Sequence, residues 1–421
     1  MTVTSSNTPP PVLVAIDISK LKHDVFVKHP DGKTNTFKVA NNFSDFEKFC
    51  AYLASLKSTC RIALEPTADY HRLIAWRLLQ CGYDVRLASS IACARTREAI
   101  FNSRDKNDVK DTKVIMYLLE SGIVQHYHDP LANNLNDIQE IANTYAVIAY
   151  RRTQVLHSLK NHYLALYFPE IEKYLISTRA LWFTKTFSRF PTPGSISKLS
   201  EKKFIAIANP LVGRKQHKKQ WLQELYITAT HSIGLPVSET SVAAEMFVLM
   251  LSEYERLTTI RMNIQEKARS VLSSNPDYEL LQSIPGVGPI IALSILAEGG
   301  DLRRFKHHKQ FLKFCGFDLA THQSGKYKSN SSLSKRGNAR LRLVFWQAAT
   351  IAIRQTENSF RNKYTRYITA NTDTADNRRK ARVAVAAKLA RVAYSIVKSG
   401  NPYRPYFESA LPGGKIPLIG P

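Results

Sequence analysis

Short apolar runs and helical segments alternate along residues 12 to 130. VLVAIDIS and DVFVKHPDGKTNTFKVA predict two strands joined by a turn at Pro30-Asp31-Gly32, with a third strand in NTFKVA. SDFEKFCAYLASL then predicts a helix with a Ser N-cap, CRIALEP a buried strand, YHRLIAWRLLQCG a helix closed by Gly82, and YDVRLAS another strand. This order predicts a mixed α/β sheet with helices packed on it.

Strand patterns disappear between about residues 135 and 270. Two long amphipathic segments, NDIQEIANTYAVIAYRRTQVLHSLKNHYLALY and SETSVAAEMFVLMLSEYERLTTIRMNIQEKARSVLSS, indicate an antiparallel helical pair or a coiled-coil arm. The basic section between them is punctuated by Pro and Gly and predicts an inserted subdomain. After Pro276 the pattern is mainly helical, with a polar and basic stretch from Thr321 to Arg340.

A chain of 421 residues can form two or three domains, each with its own core. We expect a disordered leader at residues 1–11, an α/β domain at 12–130, a helical or coiled-coil region with a basic insertion at 131–275, a mainly α domain at 276–400 and a tail at 401–421. No apolar run approaches the roughly 18 residues that span a bilayer, and the N-terminus lacks the pattern of a secretion signal. We therefore expect a cytoplasmic protein that does not contact membranes.

The net charge of the chain indicates what class of partner it binds. Lys and Arg number 59 against 34 Asp and Glu, a formal net charge of +25, and the basic residues are spread over the whole length. An extended polyanion such as a nucleic acid is the simplest partner for such a distribution. The five cysteines form no Cys-x-x-Cys pair, which indicates reduced thiols and excludes a disulfide scaffold or a zinc finger.

Four carboxylates stand out by their positions in the predicted α/β domain. Asp17 interrupts an apolar strand, Glu65 ends the strand RIALE, and Asp108 and Asp111 lie three residues apart in the first turn of a predicted helix. A nuclease sheet gathers oxygen ligands for Mg²⁺ in this way, and two such ions roughly 4 Å apart can hold both reacting oxygens of a phosphodiester. Without metal, the four acids would repel one another.

Each acid also has a purely structural interpretation. Acids early in a helix complement its dipole, which is the commoner reason for residues such as Asp108 and Asp111, and strand ends such as Glu65 often carry solvated acids. Asp17 has no such inexpensive explanation, because it lies between Ile16 and Ile18 in an apolar run. The four positions together, in a chain of charge +25, favour a metal site.

The residues around these acids resemble a known family. AIDISK, ALEPTADYH and DKNDVKDTKVIMYLL are similar to the Asp-Glu-Asp-Asp tetrad segments of transposases of the insertion sequence 110 family, whose relatives include Piv-type DNA invertases and bridge-RNA-guided recombinases. The stretch from LLQSIPGVGP to LRLVFWQAA resembles the family's C-terminal transposase domain. Pro66 and Ala68 stand where members commonly have Ala and Gly, and Asn107 stands where they have Thr.

The resemblance implies a fold and a reaction. Residues 12–130 would form a RuvC-like domain of RNase H fold, and Ser324 in THQSGKYKS would be the nucleophile that forms a covalent phosphoserine intermediate. It also implies a tetrad and a serine from different subunits, hence a homodimer and a tetramer at the synapse. A bridge-type guide RNA would pair with donor and target DNA to choose the sites.

Further residues are candidates for nucleic-acid contact. PGVGP, with Gly286 and Gly288, resembles a helix-hairpin-helix whose backbone amides can hold a phosphate, although a plain turn between helices has the same pattern. The basic stretch that follows fits contacts with phosphate and sugar, or a solvated loop, and its candidate cations are Lys326, Lys328, Lys335, Arg336 and Arg340.

These observations predict a DNA transposase or site-specific recombinase. Two alternatives remain open: a hydrolytic RuvC-like resolvase or nuclease, in which metal-bound water attacks and Ser324 is incidental, and a nucleic-acid-binding protein without catalytic activity.

Overall fold

The computed structural model describes residues 10–101, 108–131, 134–177, 181–213, 216–320, 323–324, 327–328, 332–356 and 358–405. The chain divides into two compact units, the first ending at Asn134 and the second beginning at Leu135. None of the helices in these described ranges is long and apolar enough to cross a membrane. The division into an α/β domain, a helical region and a mainly α domain remains a prediction.

Unit 1 is built around one mixed sheet. Its elements in chain order are β1 (Val12–Asp17), β2 (Lys22–Lys28), β3 (Thr34–Ala40), α1 (Phe43–Ser55), β4 (Cys60–Glu65), α2 (His71–Gln80), β5 (Asp84–Leu87), α3 (Ser90–Phe101), α4 (Asp108–Glu120) and β6 (Gln125–His126). The strands lie side by side in the order β3-β2-β1-β4-β5-β6. β2, β3 and β6 run antiparallel to their preceding neighbours, whereas β4 is parallel to β1 and β5 to β4. The predicted mixed α/β sheet is confirmed.

Alternation along β1 sends its side chains to two separate cores. Val14 and Ile16 pack with residues of α1 and α2, whereas Ala15 packs with residues of α3 and α4. A side-chain period of two in a strand covered by helices on both faces explains why the whole run is apolar. The sheet is therefore packed against helices on both faces.

Three details differ from the predictions. Asp17 is the last residue of β1, and partly exposed, instead of lying mid-strand, because the ladder with β4 ends there while Ile18 still packs in the core. The N-cap of α1 is Asn42, whose side chain accepts a hydrogen bond from the Asp45 amide, instead of Ser44. β6 was not predicted, since a strand of two residues has no readable period.

Unit 2 is mainly helical. Its helices are α5 (Asn136–Ser158), α6 (Ala165–Tyr167), α7 (Glu172–Ser177), α8 (Leu181–Arg189), α9 (Pro193–Ser197), α10 (Glu201–Val212), α11 (Gln216–Thr230), α12 (Val242–Leu272), α13 (Pro276–Gln282), α14 (Pro289–Gly299), α15 (His308–Phe314), α16 (Ala339–Ala352), α17 (Ser359–Thr369) and α18 (Ala375–Ser399). A π-helical segment spans Leu159–Leu164, and 3-10 turns span Pro169–Ile171 and Leu302–Arg304. Four two-residue strands are β7 (Leu319–Ala320), β8 (Gln323–Ser324), β9 (Tyr327–Lys328) and β10 (Ser332–Leu333).

Helices α5 and α12 are the long antiparallel pair that the sequence predicts. Arg152 of α5 donates a hydrogen bond to the Thr258 hydroxyl, whereas Gln265, further along α12, contacts the earlier residue Tyr145. A coiled-coil arrangement of this pair remains a prediction. The basic section between them folds into α8 to α11, whose buried aromatic core includes Phe187, Phe204 and Trp221 packed against α12.

His23 of β2 is buried in unit 1 without a hydrogen-bond partner. Its side chain is 0% exposed, and neither ring nitrogen has a partner among the described residues. Burial lowers the pKa of His23 from its usual 6.5, although the neighbouring Asp24 raises it in part. The folded state therefore holds a neutral ring, since a charged imidazolium without a partner is costly in a core.

Replacing His23 with leucine should make the stability of the protein less dependent on pH below about 6.5. As the pH falls below about 6.5, the unfolded chain takes up a proton that folded His23 resists, so wild-type stability is full above that pH and is lost toward the lowered folded pKa. Thermal melting followed by circular dichroism between neutral pH and pH 5 measures this. His29→Leu is the control, and equal profiles for wild type and His23→Leu would contradict the assignment.

Candidate active site

One row of carboxylates crosses three neighbouring strands at the end of the sheet where β1 and β4 terminate. Asp17 lies directly beside Glu65 in the parallel pair β1–β4 and directly opposite Asp24 in the antiparallel pair β1–β2. Directly opposed residues point to the same face, and for Asp17 that is the face of Ala15, which α3 and α4 cover. The row therefore brings together two predicted acids, Asp17 and Glu65, and a third, Asp24, that the sequence analysis missed.

Asp111 of α4 adds a buried carboxylate on this side of the sheet. Its side chain is 1% exposed, and its Oδ1 accepts a hydrogen bond of 2.7 Å from Nε of Arg97 on α3. Its Oδ2 is buried and has no partner among the described residues. A buried carboxylate oxygen without a donor is costly, so this atom is suited to accept a cation or a further donor.

Cys93 of α3 is the hydrogen-bond partner of Glu65. Burial raises the pKa of the Cys93 thiol above its usual range, and the nearby Glu65 charge raises it further. The thiol therefore stays protonated and donates a hydrogen bond to the Glu65 carboxylate. The charge of Asp111 also raises this pKa, and that of Arg97 lowers it.

Asp108 begins α4, one turn before Asp111, and its side chain lies outside the described part of the structure. Among the side chains that are described, no group of three or more His, Cys, Asp or Glu is placed to hold a metal ion. The four-acid metal site therefore stays a prediction. Arg97 and Cys93 were not predicted as site residues, because no spacing rule connects them to acids on other elements.

Arg97→Gln should destabilise unit 1 strongly, because it leaves the Asp111 carboxylate buried and without its counter-charge. Removing one partner of a buried ion pair costs about 3–5 kcal/mol. Urea unfolding in the presence of EDTA measures the loss, and the double variant Arg97→Gln/Asp111→Asn should recover part of it. Arg95→Gln, on an exposed position of the same helix, is the control, and a similar small loss for both single variants would show that the ion pair contributes little.

Ser324 lies in unit 2, in a short two-stranded ladder. β8 pairs antiparallel with β9, Ser324 opposite Tyr327 and Gln323 opposite Lys328. The side chains of Ser324 and Lys328, and the whole of Lys326, lie outside the described residues. The role of Ser324 as nucleophile therefore stays a prediction.

The candidate cations after this ladder have different surroundings. Lys335 and Arg336 are exposed, and Lys335 has a φ of 54°, in the left-handed region. Arg340 instead donates to Glu298 at 3.1 Å and to Asn143. Glu298 also accepts a hydrogen bond from the side-chain amide of Asn338, the N-cap of α16. Arg340 thus has a structural partner already, while Lys335 and Arg336 are open to a ligand.

The glycines of PGVGP connect α13 to α14 and differ in what surrounds them. Gly286 has a φ of +87°, and a Cβ there would lie 2.4 Å from the carbonyl oxygen of Ala348 on α16. Gly288 is the N-cap of α14, and a Cβ there would meet nothing within 4 Å. Two helices joined by a tight turn are therefore present, and Gly286 is explained by packing. Phosphate contact at Gly286 and Gly288 stays a prediction.

Gly286→Ala should lower the melting temperature of unit 2, whereas Gly288→Ala should leave it nearly unchanged. Alanine at position 286 combines a left-handed backbone, which costs roughly 1–2 kcal/mol, with a collision against the α16 backbone. Thermal melting of the two variants tests this directly, each serving as the control of the other. Equal melting temperatures would show that the turn can move away from α16.

Unit 1 has a row of carboxylates on β1, β2 and β4, and the chain as a whole carries a net charge of +25, which suits a nucleic-acid partner. A sequence model described as transposase, of the DEDD type of IS110, matches residues 14–169, and a second, described as transposase of the IS116/IS110/IS902 family, matches residues 278–365. The matches span more than half of the 421 residues, and the chain belongs to the IS110 family of transposases.

Individual proteins that are similar to this chain also come from insertion elements. The chain is similar to the transposase for insertion sequence element IS1111A of Coxiella burnetii, with 29% identity over 187 residues, which are 44% of this chain and 50% of the relative. It is also similar to a protein of insertion element IS116 from Streptomyces clavuligerus, with 22% identity over 350 residues, 81% of this chain and 84% of the relative. The chain spans about half the length of the first curated relatives it matches.

Among solved structures, Thermus thermophilus RuvC in complex with a Holliday junction substrate matches with 10% identity and a TM-score of 0.21, covering 28% of this chain and 100% of that one. The α/β fold of unit 1 is defined by its own strand order and pairing.

Proposed function

We propose that this chain is a DNA transposase that cuts and rejoins strands with an Asp-Glu-Asp-Asp tetrad and a serine nucleophile. The observation that carries the proposal is the register of β1 with β4, which sets Asp17 beside Glu65 on the face covered by α3 and α4. Structural acids are not usually arranged so, because adjacent like charges destabilise a sheet. Family membership supports DNA as the substrate.

The residues that would hold divalent metal are Asp17, Glu65, Asp108 and Asp111. The fit rests on the buried Asp111 Oδ2, which lacks a donor, and on a set of oxygen ligands of the kind that Mg²⁺ prefers. Two Mg²⁺ ions would supply charge neutralisation for a reacting phosphodiester. Asp24, held by Lys38 at 3.2 Å, lies in the same row and helps to set the negative potential there.

Ser324 would attack the phosphodiester. Its Oγ forms a bond to phosphorus while the bond from phosphorus to one sugar oxygen breaks, and the released sugar hydroxyl takes a proton in exchange for the one the serine gives up. Four cations near Ser324 in the sequence, Lys326, Lys328, Lys335 and Arg336, would stabilise the phosphate charge. Of these, Lys335 and Arg336 are exposed. Tetrad and serine would come from different subunits of a dimer, which pairs into a tetramer at the synapse.

A guide RNA would select donor and target DNA by base pairing. The chain's contribution would then be backbone binding, for which a net charge of +25 is suited. A hydrolytic nuclease and a nucleic-acid-binding protein without catalytic activity are the competing functions.

A covalent adduct is the decisive measurement. With Mg²⁺ and DNA carrying the element ends, the wild type should give a protein–DNA adduct that survives denaturing electrophoresis, and EDTA should abolish it. Ser324→Ala should abolish both adduct and strand exchange, whereas Ser332→Ala, an exposed serine of β10, should retain both. Asp17→Asn should reduce strand cutting by several orders of magnitude, and Asp31→Asn, in the exposed turn after β2, should not.

Each competing function predicts a different result. Cutting without any adduct in the wild type would indicate hydrolysis, and an adduct that persists in Ser324→Ala would exclude this serine as the nucleophile. Full activity of Asp17→Asn would exclude the tetrad.

A further inference from the structure

Two cysteines of unit 1 lie side by side. Cys50 is in α1 and Cys81 is the C-cap of α2, and their Sγ atoms are 3.3 Å apart. Cys50 is half-buried, whereas Cys81 is exposed. A disulfide has an S–S bond of about 2.05 Å, so the two sulfurs would need to approach by roughly 1.3 Å to form one. Positions 51 to 80 separate the two thiols along the chain, so their proximity is a result of the fold.

The two helices are also held together one turn before the thiols. Arg77 of α2 forms an ion pair with Glu47 of α1, and its guanidinium lies 5.6 Å from the ring centroid of Phe43. Glu47 lies three residues before Cys50. Arg77 lies four residues before Cys81, so the ion pair and the thiol pair follow one another along the same sides of both helices. Both helices also contribute buried residues to one apolar core, so several contacts fix the approach of the sulfurs.

The two thiols differ in how readily a reagent reaches them. Cys81 is exposed, so a small oxidant has access to its sulfur, whereas Cys60, Cys93 and Cys315 are buried. The pKa of Cys50 is raised to about 12, mainly by burial and further by its hydrogen bond with Cys81. Since the thiolate is the reactive form of cysteine, Cys81 is the thiol that reacts first. Among the residues that the structure describes, no third His, Cys, Asp or Glu joins the pair as a possible metal ligand.

We propose that Cys50 and Cys81 form a reversible disulfide when the protein meets a small-molecule disulfide such as oxidised glutathione. The Cys81 thiolate attacks one sulfur of the oxidant, whose S–S bond breaks, and a mixed disulfide and one reduced thiol result. Cys50 then loses its proton to solvent, attacks Sγ of Cys81 and releases the second reduced thiol. The two protein thiols lose two electrons and two protons, and the oxidant gains both.

The disulfide would close a loop that contains β4 and α2. Closing such a loop restricts the unfolded chain and thereby stabilises the folded one. The thiol pair lies on the face of the sheet that α1 and α2 cover, whereas Asp17 and Glu65 point to the face covered by α3 and α4. Oxidation should therefore stabilise unit 1 and leave the row of carboxylates in place.

Peptide mapping tests the pair in the folded, full-length protein. The wild type is equilibrated with mixtures of reduced and oxidised glutathione, its free thiols are alkylated, and it is digested without reduction. A linked Cys50–Cys81 peptide should appear, and dithiothreitol should remove it. Cys50→Ser should stop at the mixed disulfide, with glutathione on Cys81, and Cys81→Ser should leave Cys50 unmodified. Cys60→Ser, at a buried cysteine, is the control and should still form the link.

Three results of the mapping would overturn the proposal. Glutathione that stays on Cys81 of the wild type would show that Cys50 does not reach it. A disulfide that joins Cys81 of one chain to Cys81 of another, or a link that includes Cys60, would show that the pair is not the preferred one. Unmodified thiols at every glutathione ratio would show that Cys81 does not react.

Thermal melting followed by circular dichroism gives a second measurement. In the transition of unit 1, the oxidised wild type should melt roughly 5–10 °C above the reduced wild type, and Cys81→Ser should melt at the same temperature under both conditions. An oxidised wild type that melts at or below the reduced form would show that the link distorts the two helices, against the proposal. Neither measurement uses DNA or metal, so this proposal and the proposed function succeed or fail separately.

Discussion

The parallel pairing of β1 with β4 places two carboxylates on neighbouring strands, about 4.8 Å apart in backbone spacing. Neither acid can leave this position without moving a strand whose two faces are both packed against helices. The repulsion between them is therefore built into the fold. The side chains around these two carboxylates are those that compensate the repulsion.

Compensation is supplied residue by residue. Asp24 has Lys38, Glu65 has the protonated thiol of Cys93, and Asp111 has Arg97 on one oxygen. The other oxygen of Asp111 has no donor among the described residues. Positive charge is thus supplied beside Asp24 and beside one oxygen of Asp111, and the other oxygen of Asp111 has no such partner among the described residues. If these acids served stability alone, apolar residues would suit their positions better, because replacing a buried ion pair by apolar residues often leaves the free energy of unfolding unchanged or raises it.

The sequence predicted the sheet well because its strands alternate or are fully apolar, and both patterns depend on local spacing alone. Pairwise contacts between distant elements were not predictable. Arg97 on α3 contacts Asp111 on α4, and Cys93 on α3 contacts Glu65 on β4, so neither pair has a spacing signature. Asp24 lies in a run that was predicted to be a strand. Its position opposite Asp17, however, depends on the register of the folded hairpin, which the sequence pattern does not give.

Gly286 illustrates a second kind of limit. A glycine between two helices has the same sequence pattern whether it approaches a phosphate or another backbone, since both uses need a missing Cβ. Only the carbonyl oxygen of Ala348, on an element about sixty residues later in the chain, distinguishes them. Gly288, which has open space, is the better of the two candidates for a phosphate contact.

The two units have opposite electrostatic tasks if the proposed function holds. A row of carboxylates repels a phosphodiester as strongly as the acids repel one another, so the backbone must be held near it by cations from elsewhere. In unit 2, Lys335 and Arg336 are exposed. Under the proposed function, the chain needs cations to bind a polyanion as well as carboxylates to hold metal. That requirement explains why a net charge of +25 accompanies an acidic site.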